Sequence, residues 1–397
     1  MQELLGGLSV WDVDYGANIR CDFHSHGLFG HISACILLQV KLAPLPKDTA
    51  YGRPSDCSQT KMIIAGHQLH TIHAEILEWV CVKIVPMKNV RTAFMGSPEF
   101  ARTILRALIG KANLVGVVTQ PDRPAGRGKV LTAPPVKVLA EEAGIPIMQP
   151  ERLRRPEAFD QLAAWQPELI VVAAFGQILR QNILDLPEYG CINVHSSLLP
   201  RWRGAAPVQA ALLHGDSLTG VTIMKMDAGV DTGDILSQQV VEITENDNAA
   251  SLTGRLAAAG ADLLMTTLPR YLNGTIQPRT QDNTLATYAP MIKKEDGRLD
   301  FSEPARALEC KVRAYNPWPG TYFHWQGQPI KVLSASSLTP TKLQPAQHGT
   351  VNGLPIVGTA EGALVLMEVQ PAGKKPMPGR VFLNGARGWL NHDKGAG

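Results

Sequence analysis

Short apolar runs alternate with amphipathic segments between residues 90 and 272. Five runs have the length and composition of strands. They are 90–95, 114–118, 145–148, 168–175 and 191–195. Helical spacing of apolar residues fills the gaps at 98–110, 134–144 and 156–165, and strands at 220–227 and 234–243 precede a helix over 251–272. This alternation predicts an α/β fold with a Rossmann-like, mostly parallel sheet and helices on both faces.

The strand CINVH (191–195) departs from this pattern because polar residues interrupt it. Successive side chains of a strand point to opposite faces, so Cys191, Asn193 and His195 share one face. In open sheets of this kind, ligands bind beyond the carboxyl ends of the strands. We therefore expect Asn193 and His195 to line a site there. A buried His and Asn with a purely structural role would give the same pattern.

The segment MDAGVDTGD (226–234) places three carboxylates among glycines. It follows a strand that we expect to lie near CINVH, which lets one carboxylate reach the Asn193–His195 pair. Its spacing is not that of an EF-hand, and Asp and Gly are favoured in any turn. An amide, an imidazole and a carboxylate together suit acyl transfer to an amine, in which an oxyanion forms and the amine loses a proton. This chemistry requires neither a metal nor a protein nucleophile.

Two common nucleotide-binding signatures are missing from the sequence. The first strand is followed by GSPEF (96–100) rather than GxGxxG, and no GxxxxGK[ST] occurs. Hydride transfer with NAD and hydrolysis of ATP therefore lose their best sequence support.

The composition is that of a globular protein long enough for two domains, with 397 residues, 45% hydrophobic and 18% charged. A net charge of only +3 does not by itself indicate a nucleic-acid partner. The six cysteines form no CxxC pair, which favours a reduced, cytoplasmic setting. No apolar run approaches the ~20 residues of a membrane-spanning helix, so we expect no membrane partner.

Residues 1–86 differ from the remainder because they show no clear alternation of strands and helices. They hold six of the eleven histidines, including His67, His70 and His73 at intervals of three. No recognised zinc-ligand spacing surrounds these three, so an incidental cluster is favoured over a metal site. We expect 1–86 to be an accessory or wrongly included leader, and the working protein to begin near Met87.

The motifs CINVHSSLLPRWRGAAPVQ and MDAGVDTGD closely resemble the methionyl-tRNA formyltransferase family, which belongs to the folate-dependent formyltransferases. FMGSPEF, TQPDRPAGRGK, AYNPWPG and VQPAGKKPM fit the same family in order, from about residue 88 to about 385. The family's enzymes transfer a formyl group from 10-formyltetrahydrofolate to the amino group of initiator methionyl-tRNA. The resemblance implies the same donor and acceptor here, with no metal.

The resemblance assigns catalysis to Asn193, His195 and Asp231, and tetrahydrofolate contacts to the stretch Ser197, Leu198, Leu199 and Pro200. Ser196 stands where the family commonly has glycine. A formyltransferase domain over 87–272 is expected, then a linker over 273–290 and a small C-terminal β-barrel domain, OB-like and tRNA-binding, over 291–397. We expect a monomer.

Several basic residues are expected to contact tRNA. The loop RPAGRGK has glycines that let it fold onto RNA, and its arginines suit phosphate and base contacts. The predicted tRNA contacts are Arg123, Arg127, Lys129, Arg201, Arg203, Lys293 and Lys294. An ordinary solvated surface is the alternative for such residues.

Two other functions compete with this interpretation. The first is a formyltransferase that acts on a small amine such as glycinamide ribonucleotide or an amino sugar. The basic loop and the second domain argue against it, because a small acceptor needs neither. The second is a non-catalytic RNA-binding protein, which has no need for Asn193, His195 and Asp231 together.

Overall fold

The computed structural model describes residues 85–125 and 130–390, together with the backbone of two earlier strands, Asn18–His24 and Cys35–Lys41. The chain divides into units of residues 1–75 and 76–397. In the first unit the two described strands pair antiparallel. The histidine cluster at 67–73 lies outside the described residues, and its lack of a metal role stays a prediction.

A seven-stranded sheet forms the centre of the second unit, in the order β3-β2-β1-β4-β5-β6-β7. The strands are β1 Arg91–Gly96, β2 Asn113–Val118, β3 Ile147–Met148, β4 Leu169–Ala173, β5 Cys191–His195, β6 Leu218–Lys225 and β7 Ile235–Glu242. Strands β1 to β5 are parallel, and β6 is antiparallel to both of its neighbours. The predicted mostly parallel sheet is confirmed.

Helices cover both faces of this sheet. They are α1 Glu99–Leu108, α2 Pro135–Glu142, α3 Pro156–Ala164, α4 Gln181–Leu184, α5 Pro207–Leu213 and α6 Ala249–Leu272. One core packs α1, α2 and α6 against the sheet, and a second core packs α3 and α4 against the other face. Alternation along the strands assigns residues to these cores. Phe94 enters the first core, and its neighbours Ala93 and Met95 enter the second.

Local sequence explains where the helices begin. Three of them, α2, α3 and α5, start with proline, whose fixed φ and missing N–H suit the first helical position. Helix α6 is capped by Asn248, whose side chain accepts hydrogen bonds from the backbone of Ala250 and Ser251. The bounds of α1, α2, α3 and α6 agree with the predicted helices to within two residues. Helices α4 and α5 were not predicted because they are too short for an apolar period to show.

The C-terminal portion holds an antiparallel sheet of six strands and two helices. The elements are β8 Thr321–Trp325, β9 Gln328–Leu338, β10 His348–Val351, β11 Leu354–Gly358, β12 Ala363–Pro371, β13 Met377–Pro378, α7 Ala305–Ala314 and α8 Gly379–Gly385. The strand order is β8-β9-β12-β11-β10, and β13 pairs with β12. This sheet is compatible with the predicted barrel. Helix α7 joins both portions, because Leu308 and Val312 lie in the C-terminal core and Ala314 lies in the first core of the central sheet.

The predicted linker, 273–290, packs against the central sheet unit. Arg279 forms a β-bridge with Ile235, and Tyr288–Ala289 pairs in parallel with Arg203–Gly204. Within the described residues, no helix is long and apolar enough to cross a membrane.

Candidate active site

His195 is the last residue of β5, and both nitrogens of its ring face oxygen atoms. Its Nε2 lies 3.1 Å from the carbonyl oxygen of Trp202, and its Nδ1 lies 3.6 Å from Oδ1 of Asp231. A carbonyl and a carboxylate only accept hydrogen bonds, so an imidazolium with both N–H groups satisfies both contacts and a neutral ring satisfies one. The pair is sheltered from solvent, with side-chain exposures of 7% for His195 and 15% for Asp231.

Asp231 reaches His195 from the loop between β6 and β7. Its φ of 53° lies in the left-handed region, which Asp tolerates better than most residues but which surrounding contacts must hold. Its Oδ2 accepts a hydrogen bond of 2.8 Å from the backbone N–H of Gly204. The structure therefore brings Asp231 to the Asn193–His195 strand, as the sequence predicted.

Asn193 lies two residues before His195 on the same face of β5, and its side chain is largely buried. Among the residues that the structure describes, this amide has no hydrogen-bond partner. Its polar atoms are not among the fully enclosed, unpaired side-chain atoms of the described residues, so the amide is open to a ligand. The amide is therefore free to donate to a developing oxyanion.

Cys191 shares this face of the strand but not the site. The thiol is buried in the core that includes α3 and α4. Burial raises the pKa of Cys191 to about 12, with a smaller contribution from the charge of Asp185. A thiol of this kind stays protonated at neutral pH and is not a nucleophile.

The stretch 197–200 folds into a hydrogen-bonded loop directly after β5. The Ser197 hydroxyl donates to the carbonyl oxygen of Arg201 at 2.6 Å, and the Leu199 N–H donates to Oγ1 of Thr222. Ser197 and Leu199 are buried, whereas Leu198 and Pro200 are half-buried. Ser197 and Leu199 hold this loop in shape, and the predicted folate contacts of the stretch 197–200 stay a prediction.

The structure contradicts the predicted contact of Arg203 with tRNA. This residue was expected to meet tRNA at the mouth of the site, but it is only 2% exposed. Its guanidinium donates to Oε1 of Gln281 from Nε and Nη2, and to Oδ1 of Asn283 from Nη2. Trp202 is also buried, and its indole N–H donates to Asp216. Arg203 is thus a structural residue, because its guanidinium is buried and donates to side-chain oxygens inside the protein.

The other predicted RNA contacts lie on the surface where they are described. Arg123 is exposed beside Glu151, and Arg201 stacks over the Trp202 ring while both Nε and Nη2 donate to Asp216. Lys293 and Lys294 are exposed at the start of the C-terminal portion. Arg127 and Lys129 lie outside the described residues. Arg123 begins a short strand, Arg123–Ala125, that pairs with Val130–Thr132.

A cavity of about 350 Å³ opens at the beginning of β5 rather than at its carboxyl end. It is lined by residues such as Gln181, Gly190 and Asp227, and it contains none of the predicted site residues. In the described residues, no group of three His, Cys, Asp or Glu side chains is arranged to hold a metal.

Sequence reasoning missed three groups that shape the site: the Trp202 carbonyl, the Gly204 N–H and the Gln281 side chain. The first two are backbone atoms of a loop, and no residue type marks them. Gln281 stands in the segment predicted as a linker, about fifty positions after Asp231, so no local pattern connects the two.

Two regions of the chain match known protein families. Residues 89–268 match the formyl transferase family, and residues 291–387 match the C-terminal domain of formyl transferases. An N-formyltransferase from Helicobacter canadensis, solved with folinic acid and dTDP-3-aminofucose, has a similar fold. Its TM-score is 0.53 with 16% identity, over 71% of this chain and 99% of that chain.

Curated relatives are much nearer in sequence. Methionyl-tRNA formyltransferase of Chloroflexus aurantiacus is 49% identical over 300 residues, which cover 75% of this chain and 97% of the relative. The enzyme of the same name from Chloroflexus aggregans is 48% identical over 302 residues, with the same coverage. The chain therefore belongs to the methionyl-tRNA formyltransferase family.

Proposed function

We propose that this protein transfers a formyl group from 10-formyltetrahydrofolate to the amino group of initiator methionyl-tRNA. One observation carries the proposal. His195 lies between the Asp231 carboxylate and the Trp202 carbonyl, on the strand face that also holds the unpartnered amide of Asn193. Family membership supplies the donor and the acceptor, and the site supplies the groups that the reaction needs.

The neutral methionyl amine attacks the formyl carbon, a C–N bond forms, and the formyl oxygen becomes an oxyanion. The Asn193 amide donates to this oxyanion, and the positive charge of a His195 imidazolium close by stabilises it, in a site with little access to water. The Asp231 carboxylate stabilises the positive charge of the imidazolium. The attacking amine then loses a proton, the bond from the formyl carbon to N10 of the folate breaks, and N10 takes up a proton.

Folate binding is proposed at the loop after β5, through Leu198 and Pro200, which are half-buried rather than enclosed. Ser197 and Leu199 contribute by holding the loop in shape. Hydrogen bonds within the protein hold this loop in shape, which supports a preformed donor site.

Recognition of tRNA is proposed for four exposed basic residues, Arg123, Arg201, Lys293 and Lys294. It is also proposed for Arg127 and Lys129, which lie outside the described residues. In this proposal, the domain over 87–272 catalyses formyl transfer and the domain over 291–397 binds RNA. The protein acts as a monomer in the cytoplasm. The relatives' name, methionyl-tRNA formyltransferase, supports an RNA acceptor.

The test is formylation of charged initiator tRNA by the purified full chain, with and without 10-formyltetrahydrofolate. We expect donor-dependent formyl-methionyl-tRNA. Glycinamide ribonucleotide and a dTDP-linked amino sugar serve as competing acceptors, and formylation of either one in place of the tRNA contradicts the proposal. Asn193→Ala is expected to lower kcat about 10²–10³-fold, because it removes one donor to the oxyanion.

A further inference from the structure

We infer that the segment 273–290 completes the catalytic centre, and that Gln281 is a positioning residue for Asp231. The inference rests on the proposed function and deepens it. This segment was expected to be a linker, yet its side chains form hydrogen bonds with the loop that carries Asp231 and with the loop that follows β5.

Gln281 holds the Asp231 loop through two backbone atoms. Its Nε2 donates to the carbonyl oxygen of Asp231 itself at 2.9 Å and to that of Gly233 at 2.7 Å. Gln281 is 6% exposed, so these bonds form away from bulk water, where an unpaired carbonyl is costly. Asp231 has a left-handed backbone that needs outside support. The Gln281 amide provides that support at the same residue.

Arg203 fixes Gln281 in turn. The Oε1 atom of Gln281 accepts from both Nε and Nη2 of Arg203, at 3.1 and 2.8 Å. This contact orients the amide so that its NH₂ group faces the Asp231 loop. Arg203 is next to Gly204, whose N–H binds the Asp231 carboxylate. One short stretch therefore holds Asp231 by its side chain and, through Gln281, by its backbone.

Two other residues of the segment, Arg279 and Thr287, support the loop after β5. Arg279 donates to Oε1 of Gln238, and the Nε2 of Gln238 donates to Oγ1 of Thr222 and to the carbonyl oxygen of Leu199. Thr287 binds the same region from the other side, because its Oγ1 accepts from the N–H of Trp202. The segment thus stabilises both the loop that carries Asp231 and the loop after β5, which meet at His195.

Only a side-chain amide performs the role of Gln281. It must accept from Arg203 at one atom and donate to two carbonyls at the other. Glutamate keeps the contact with Arg203 and loses the donors, since an ionised carboxylate only accepts. Gln281→Glu therefore removes support for Asp231 while keeping a partner for the buried guanidinium.

The experiment is a double-mutant cycle of Gln281→Glu and Asp231→Asn in the full chain. Formylation of methionyl-tRNA gives kcat and KM, and titration with folinic acid gives donor-site affinity. Gln281→Glu alone is expected to lower kcat about 10- to 100-fold, since a misplaced catalytic group costs rate in this range. KM for tRNA and the Kd for folinic acid are expected to change less than about threefold. In the Asp231→Asn background, Gln281→Glu is expected to cause less than about threefold further loss, because it acts through the group already removed.

Gln277→Glu is the matched control, since Gln277 is an exposed glutamine of the same segment. It is expected to keep the wild-type kcat. Gln281→Asn, which retains the amide on a shorter side chain, is a second variant with an expected loss of about 3- to 10-fold.

Full activity of Gln281→Glu overturns the inference, and so does an equal loss in both backgrounds. If Gln281→Glu and Gln281→Asn both fail to fold while Gln277→Glu folds, Gln281 serves the fold and the inference is also wrong. An inactive wild-type protein instead refutes the proposed function, which keeps the two failures distinct.

Discussion

Replacing Asp231 with Asn removes a negative charge beside His195 and leaves the size of the side chain almost unchanged. The distance of 3.6 Å between Oδ1 and Nδ1 is too long for a strong hydrogen bond, so the carboxylate acts on the ring mainly through its charge. Unit charges at this distance attract each other by about 4–5 kcal/mol at an effective dielectric constant of about 20. Water that enters around the partly exposed carboxylate lowers this value.

We expect Asp231→Asn to lower kcat about 10²–10³-fold, since each factor of ten corresponds to about 1.4 kcal/mol of lost transition-state stabilisation. The fold is expected to survive. The new amide retains an oxygen that accepts from the Gly204 N–H, so the free energy of unfolding falls by only about 1 kcal/mol.

The assay is single-turnover formylation of methionyl-tRNA at saturating 10-formyltetrahydrofolate, combined with thermal unfolding of the same preparation. Asp234→Asn is the control, because it removes the same charge from the same loop at a residue outside the His195 contact. Its kcat is expected to match the wild type. An Asp231→Asn protein that retains more than one fifth of the wild-type kcat, with an unchanged melting temperature, would refute the role given to the carboxylate.

Three further predictions concern other parts of the chain. A protein that begins at Met87 is expected to be soluble and fully active; precipitation, or loss of activity relative to the full chain, contradicts this. Arg127→Ala is expected to weaken the use of methionyl-tRNA about tenfold or more, because arginine suits phosphate contacts, and to leave folinic acid binding unchanged. Weaker folinic acid binding with normal tRNA formylation would instead place this loop against the folate. Burial opposes ionisation of Asp247, but hydrogen bonds from Thr244 and Ser251 and the charge of Arg255 outweigh it and leave its pKa below the usual value. The resulting stabilisation is present above the unfolded-state pKa and is lost as pH falls through the folded-state pKa. Asp247→Asn is therefore expected to lower the free energy of unfolding by about 1–3 kcal/mol at pH 7. The difference from wild type should narrow below about pH 4 in urea unfolding, and an equal difference at both pH values would count against this explanation.

Much of the fold was predictable because its signals are local. The buried run 168–175 and the amphipathic segment 98–110 can each be recognised from a short stretch of sequence. The corresponding elements, β4 and α1, begin and end within two residues of the predicted bounds. Strand alternation also predicted correctly that Asn193 and His195 share a face with Cys191. The following strand was expected to lie near CINVH, and the structure pairs β5 with β6 antiparallel.

What the sequence by itself determined was the set of elements and the residue types at the end of β5. The tertiary structure decided which polar side chains form hydrogen bonds inside the protein and which can contact a ligand or RNA. Arg203 and Arg201 look equivalent in the sequence, yet one is buried against Gln281 and the other lies at the surface. The support of Asp231 by Gln281 was likewise invisible, since a hydrogen bond between residues 50 positions apart depends on where the chain returns. Local patterns depend on neighbours in sequence, whereas the hydrogen-bond partners of a buried polar group depend on neighbours in space.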